Sequence, residues 1–427
     1  MTARSRSPLL SPGLLSPGLL SPGLFPPGRR EIVLINSAHC LTHYSLLILP
    51  TAALVMAVPG GRFGAAYGSI LTLATGMFIL YGAGSLPQGF LAGRFGRKPL
   101  MGAFFFGTGL CLAAAGLAQT RLELALALAA AGLFASIYHP IGTAMLVDAA
   151  GDTPGRSIGL NGVFGNLGVA FAPVATALLT EAIGWRAAFL GPGLVAVALG
   201  AAWLGVPVIE GSARPGAKPF PVIPRHLVRR AVVVLLLIAV VSGLVFNAFT
   251  LLLPKLMHDR LATSPGLLPL IGVAAFGVTV CGALTQFTVG RLIDRTTLKR
   301  VFLPLGLVLA PGLAALSVAA GWLVLPVAGV VAAVIFGQVT VNETITARYI
   351  SPALRAQMYS VRFFVGFLGA GIAPPLVGLI QQWTGRMGPV IGLLAVAALV
   401  TLACALSFPD RKEELRPELW AAAQPAE

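Results

Sequence analysis

The chain has 427 residues, of which 57% are hydrophobic and only 10% charged, and its mean hydropathy is +0.89. Soluble domains carry about 25% charged residues, so a chain this apolar must turn much of its surface to lipid. The formal net charge of +15 does not point to nucleic acid, because the Lys and Arg residues sit in short loops between apolar runs, which is the pattern of membrane topology.

Residues 1–30 read as a disordered, Pro-rich cytoplasmic tail. SPGLL recurs there with a five-residue period from Ser11, and proline at that density prevents a helix. No uninterrupted apolar core follows Arg4 and Arg6, so the stretch lacks a signal-peptide layout. Twelve apolar runs then follow near 32–57, 65–92, 99–119, 122–149, 157–181, 186–208, 230–256, 267–292, 301–320, 323–349, 356–381 and 387–408. Each is long enough to cross a bilayer as a helix. They predict an all-α integral membrane protein, with an N-terminal six-helix bundle over 31–208 and a C-terminal one over 230–408. The polar stretch 209–229 reads as a cytoplasmic linker, and 409–427 as a second cytoplasmic tail. With the N-terminus inside, 22 of the 29 Lys and Arg residues fall on the cytoplasmic side, six lie opposite and Arg362 lies within a span. The positive-inside rule then places both termini in the cytoplasm. Cys40, Cys111, Cys281 and Cys404 all lie in apolar runs without metal-ligand spacing and read as buried small apolar residues.

The two halves repeat. A shift of 201 residues brings Gly165 onto Gly366, Gly168 onto Gly369, Ala172–Pro173 onto Ala373–Pro374 and Gly184 onto Gly385, and also Gly89 onto Gly290 and Arg94 onto Arg295. Near the start of each half, His43 lies seven residues before Pro50 and Asn247 seven before Pro254. Duplication of this kind is common among transporters. The loop after the second span, Gly89-Phe-Leu-Ala-Gly-Arg-Phe-Gly-Arg-Lys98, and its second copy, Gly290-Arg-Leu-Ile-Asp-Arg295, resemble the signature of the major facilitator superfamily. The first copy has Gly93 where the signature has Asp. Within that superfamily the chain is similar to transporters of the fosmidomycin-resistance type, through His39, Tyr138-His-Pro-Ile-Gly142, Gly165-Asn-Leu-Gly168, Pro173 and Gly184-Trp-Arg186. The resemblance implies two bundles around a central cavity and proton-driven export of a small compound. It also implies that Arg94, Arg97, Lys98, Asp294 and Arg295 latch the halves during gating; topogenic charge alone is the alternative.

Polar groups at membrane depth are costly and mark candidate pathways, although a neighbouring helix can equally satisfy them. Glu343 lies in the polar cluster Gln338-Val-Thr-Val-Asn342-Glu343-Thr344 of span ten, and Arg362 lies at a similar depth on span eleven. The two are placed to pair, either as a proton-coupling or substrate-binding site or as a static brace. His39 and His43 share one face of the first helix with Asn36, and His139 precedes Pro140 in the fourth span. Histidine exchanges protons near neutrality. Paired histidines at this spacing also suit a metal, but no Cys or carboxylate completes a site, so no metal and no cofactor is expected. Asn161 and Asn166 lie among the small residues of span five, and Asn247 on span seven; with the residues above they complete the expected substrate and proton pathway. The expected partners are a small-molecule substrate, protons as coupling ion and the lipid bilayer, with no nucleic acid and a monomeric protein. Proton-coupled uptake would use the same parts. A non-transporting sensor or scaffold would need a folded signalling domain, and no enzyme motif is present.

Overall fold

The computed structural model describes residues 29–149, 154–207, 221–261, 267–416 and 419–422. The SPGLL repeat and most of the 209–229 segment lie outside the described residues. In chain order the first half comprises α1 (Arg29–Leu46), α2 (Ile48–Met56), α3 (Tyr67–Leu71), α4 (Thr75–Ala83), α5 (Gln88–Phe95), α6 (Arg97–Leu117), α7 (Arg121–Ala135), α8 (Thr143–Ala149), α9 (Pro154–Ala182) and α10 (Trp185–Leu204). The second comprises α11 (Arg225–Leu261), α12 (Leu268–Ile293), α13 (Leu298–Val318), α14 (Val324–Tyr349), α15 (Pro352–Thr384) and α16 (Gly388–Ser407), followed by the short α17 (Leu419–Ala422). No strand occurs among the described residues. Eleven helical segments are long and apolar enough to cross a membrane, and the pair Tyr67–Ala83 and Gln88–Phe95, bent by 63°, completes a twelfth.

Prolines set the interruptions of the first half. Pro50 has no N–H and its ring crowds the Leu46 carbonyl, so the first span breaks at Leu47 between α1 and α2. Pro87 closes the turn at 84–87 and caps the start of α5, and the Gln88 side-chain amide donates to the Gly84 carbonyl at 2.7 Å, satisfying an oxygen that the bend frees. Pro140 cannot supply an amide either, and Tyr138–Gly142 forms a single π-helical turn between α7 and α8. Such turns are frequent at functional positions. The second half tolerates Pro254 inside the continuous α11, which starts just after Pro224. The prolines are therefore unreliable guides to register, and the pairing of His43 with Asn247 is corrected by the packing. Gly168 of α9 abuts the Cys40 carbonyl of α1 so closely that a Cβ added to it would fall 2.2 Å from that oxygen, and Gly369 of α15 abuts the Val240 carbonyl of α11 at the same 2.2 Å. Cys40 and Val240 are 200 residues apart, so His43 corresponds to Gly243, one helical turn before Asn247.

Within the first half α1 packs on α9, α6 on α7 and α10, and α4 on α7; within the second α11 packs on α15, α12 on α14, and α13 on α14 and α16. The halves meet mainly along two seams, α9 against α12 and α3–α4 against α15, with a smaller contact of α2 on α11. At the end opposite the loop motifs the second seam is tight: Gly68 N–H donates to Gln381 Oε1 at 2.9 Å, and the Gly68 and Gly378 backbones touch. At the loop-motif end Gly89 and Gly93 have open space around them. The outward surface is apolar, with Leu194, Val318 and Trp383 exposed by 66%, 76% and 78%, because lipid rather than water is its solvent. For the same reason Cys281, expected to be buried, is exposed on α12, whereas Cys404 is buried and Cys40 and Cys111 are intermediate.

Candidate functional site

The candidates on the first, fourth and fifth spans converge. His39 Nδ1 lies 2.7 Å from the Asn161 carbonyl oxygen. A carbonyl only accepts, so Nδ1 carries the proton and Nε2 presents its lone pair. His43 Nε2 stands 3.2 Å from His39 Nε2. The Asn161 side chain donates to Asn36 Oδ1 at 2.8 Å and to the Tyr138 hydroxyl at 2.8 Å, and the Tyr138 ring stacks on His39 with 4.8 Å between centroids. The π-helical turn brings the His139 ring to 5.3 Å from His39 and 5.5 Å from His43. One nitrogen from each of the three histidines lies within 4.8 Å of the other two. Gly165 makes room for this group, since a Cβ there would fall 2.6 Å from the His39 ring.

A second cluster sits across the interface. Arg362 Nη2 of α15 donates to Glu343 Oε1 of α14; the Arg362 side chain is 9% exposed and that of Glu343 is 42% exposed. The Arg362 guanidinium lies 5.0 Å from the Phe363 ring, and Phe363 stacks on His139 at 5.4 Å. The two clusters are thus joined through one aromatic ring, with Phe367 and Tyr81 beside His139. Gln338 and Asn342, one turn apart on α14, are buried, and Gln338 Nε2, Asn342 Oδ1 and Arg362 Nη1 have no hydrogen-bond partner among the described residues. Each such buried group costs about 1–3 kcal/mol, a cost that a bound polar molecule or water would offset.

The other candidates are placed elsewhere. Asn166 donates to Gln286 Oε1 across the α9–α12 seam. Asn247 donates to the Gly243 carbonyl of its own helix at 2.7 Å and belongs to neither cluster. Of the loop-motif charges, Arg97 pairs with Asp148 and Lys98 donates to the Leu204 carbonyl at 3.1 Å, ties within the first half. Arg94, Asp294 and Arg295 are exposed and form no ion pair among the described residues.

Tyr81, Gln286, Phe363 and Phe367 have no polar-cluster signal in the sequence, and Glu414 lies in a stretch that reads as tail. Glu414 is buried at the loop-motif end, where its carboxylate accepts from the Leu298 N–H at 2.9 Å, from Arg348 at 3.4 Å and from the Tyr349 hydroxyl. It caps the start of α13, where the helix dipole favours an anion. Burial pushes its carboxyl above the ordinary glutamate range, with the hydrogen bonds and Arg348 pulling the other way.

The profile of the Major Facilitator Superfamily matches residues 41–281 and 268–425. The chain belongs to that superfamily. It is a multi-pass membrane transporter and not an enzyme. Comparison with curated proteins finds no match. Among solved structures it is similar to a D-xylose–proton symporter, at 13% identity and a TM-score of 0.73, covering 90% of this chain and 98% of that one. It is similar to a nucleoside transporter at 12% identity and 0.69, covering 90% and 100%. An inward-open xylose transporter from E. coli matches at 14% identity and 0.67, covering 91% and 98%. At these identities the likeness is one of fold.

Proposed function

We propose that this transporter exports a small organic compound in exchange for protons, by alternating access around the two clusters. The observation that carries this reading is the Glu343–Arg362 pair, an acid and a base at membrane depth, with the acid half open and the base nearly buried. Ionised, Glu343 neutralises Arg362. Protonation of Glu343 frees the guanidinium, whose Nη1 has no partner among the described residues, to hold an anionic or polar group of the compound. A ligand shifts the balance between the two states only by its differential affinity for them, and this exchange of partners supplies such a difference. His39, His43, His139, Asn161, Gln338 and Asn342 line the same region and complete the path for proton and compound. The halves rock about the α9–α12 and α3–α4–α15 seams, with the exposed Arg94, Asp294 and Arg295 free to latch in the alternate state. The likeness to fosmidomycin-resistance transporters supports export, and the positive-inside rule supports a cytoplasmic loop-motif end.

The test is transport in inside-out vesicles with an acidic lumen, using a panel of small compounds. Export by antiport predicts accumulation of a compound in the lumen and its loss in Glu343→Gln at unchanged expression. Accumulation driven by an acidic exterior would instead establish uptake by symport, and full coupled transport by Glu343→Gln would remove Glu343 from the mechanism.

A further inference from the structure

The sequence shows two histidines at metal-ligand spacing and no third donor; the fold supplies the third. We propose that His39, His43 and His139 bind one dication of the Zn2+ class, with a fourth position left to water or to a donor atom of a molecule between the halves. Four observations carry this.

The first is the separation of the donor atoms. In a tetrahedral site with metal–nitrogen bonds of about 2.0–2.1 Å, neighbouring ligand nitrogens stand about 3.3–3.4 Å apart. The Nε2 atoms of His39 and His43 stand 3.2 Å apart, and one nitrogen from each of the three rings lies within 4.8 Å of the other two. Closing that gap to the tetrahedral spacing takes a movement of about 1.4 Å at most, within reach of a side-chain rotation at His139. Without an ion, the 3.2 Å pair is an N–H···N hydrogen bond from His43 to His39.

The second is orientation. Metal-ligating histidines donate their other ring N–H to a carbonyl or carboxylate, which fixes the tautomer. His39 does so to the Asn161 carbonyl at 2.7 Å, and Asn161 is itself held by Asn36 and Tyr138. The third is that the His139 ring has no hydrogen-bond partner among the described residues, although it is partly buried at membrane depth. A neutral imidazole without a partner keeps a lone pair free, and a metal would use it. The fourth is the donor set. Three imidazoles with no carboxylate or thiolate select Zn2+, Ni2+ or Cu2+ over Mg2+ and Ca2+, and three protein ligands leave the open position seen in sites that handle exchangeable groups. Arg362 approaches through the Phe363 ring, but Glu343 balances its charge. The inference does not depend on the direction or coupling of transport.

The test uses the full-length protein with a tag free of histidine, stripped by a chelator in detergent. Calorimetric titration with Zn2+ is expected to show one ion per chain. His43→Gln and His139→Gln each weaken binding by at least about 100-fold, since loss of even an outer-shell partner costs about 10- to 100-fold. The His226→Gln/His258→Gln double variant, which alters the remaining histidines, binds as the parent does. Zn-edge X-ray absorption on the parent needs no variant and is expected to show imidazole nitrogens at about 2.0 Å. No saturable binding, binding indifferent to His43→Gln and His139→Gln, or a zinc shell without imidazole would each overturn the site.

Discussion

The α1–α9 crossing of the first half and the α11–α15 crossing of the second are built on one plan and used differently. In both, a glycine of the later helix seats on a carbonyl of the earlier one, Gly168 on Cys40 and Gly369 on Val240. One turn away the plans diverge. Gly165 faces the His39 ring, whereas its counterpart Gly366 faces the Ala239 backbone. Where the first half has His39 and His43, the second has Ala239 and Gly243, and a Cβ on Gly243 would fall 2.1 Å from the Gly366 carbonyl. The first half opens the crossing for imidazoles, while the second closes it and carries its charge one layer away, on Glu343 and Arg362. The two crossings offer equivalent positions, and packing allows only one of them to hold a bulky polar group.

The largest effect is expected from forcing the second half to imitate the first. Gly243→His drives a side chain into the Gly366 carbonyl and is expected to cost about 3 kcal/mol or more, read as loss of monodisperse folded protein and of thermal stability. The reverse change, His43→Gly, is expected to leave the fold intact. Next is the ion pair. Removing one partner of a buried pair costs about 3–5 kcal/mol because the other charge is stranded, but Glu343 is 42% exposed and remains solvated when left alone. Glu343→Ala is therefore expected to destabilise by about 2–3 kcal/mol and Arg362→Ala by about 1 kcal/mol, compared by thermal unfolding in one detergent. Equal costs would mean that both charges are equally desolvated.

The matched glycines separate the halves more finely. Gly165→Ala places a methyl 2.6 Å from the His39 ring, whereas at Gly366 the nearest atom is 3.4 Å away, an ordinary contact. Gly165→Ala is expected to cost about 1 kcal/mol and to displace His39 from Asn161. Gly366→Ala is expected to be neutral or stabilising, since Ala exceeds Gly in helix propensity by about 1 kcal/mol. The smallest effect concerns Glu414. Docked, its carboxyl holds a proton more tightly than when undocked, so the docked state is favoured at low pH. Docking weakens as pH rises from the ordinary glutamate range through the raised value. Amide hydrogen exchange over 411–416 is expected to quicken across that window, and Glu414→Gln to remove the dependence.

Much of this molecule follows from residue order alone. Apolar runs of bilayer length set the number of spans, since only a helix satisfies its own backbone in lipid, and the interruption at 84–87 does not change that count. The 201-residue repeat anticipated which glycines seat at the crossings, because close approach demands a missing Cβ wherever it occurs. The pairing of Glu343 with Arg362 was legible because depth along adjacent helices can be counted in residues. The triad was not. His39 and His43 advertise themselves by helical spacing, but His139 reaches them only because Pro140 imposes a π-helical turn and Gly165 leaves room for a ring, neither of which periodicity records. Glu414 was equally silent, its partners being 65 residues or more away. Contacts within a helix are decided by local geometry, which the sequence carries openly. Contacts between helices depend on rotation and closeness of approach, and these are settled only when all the helices have packed.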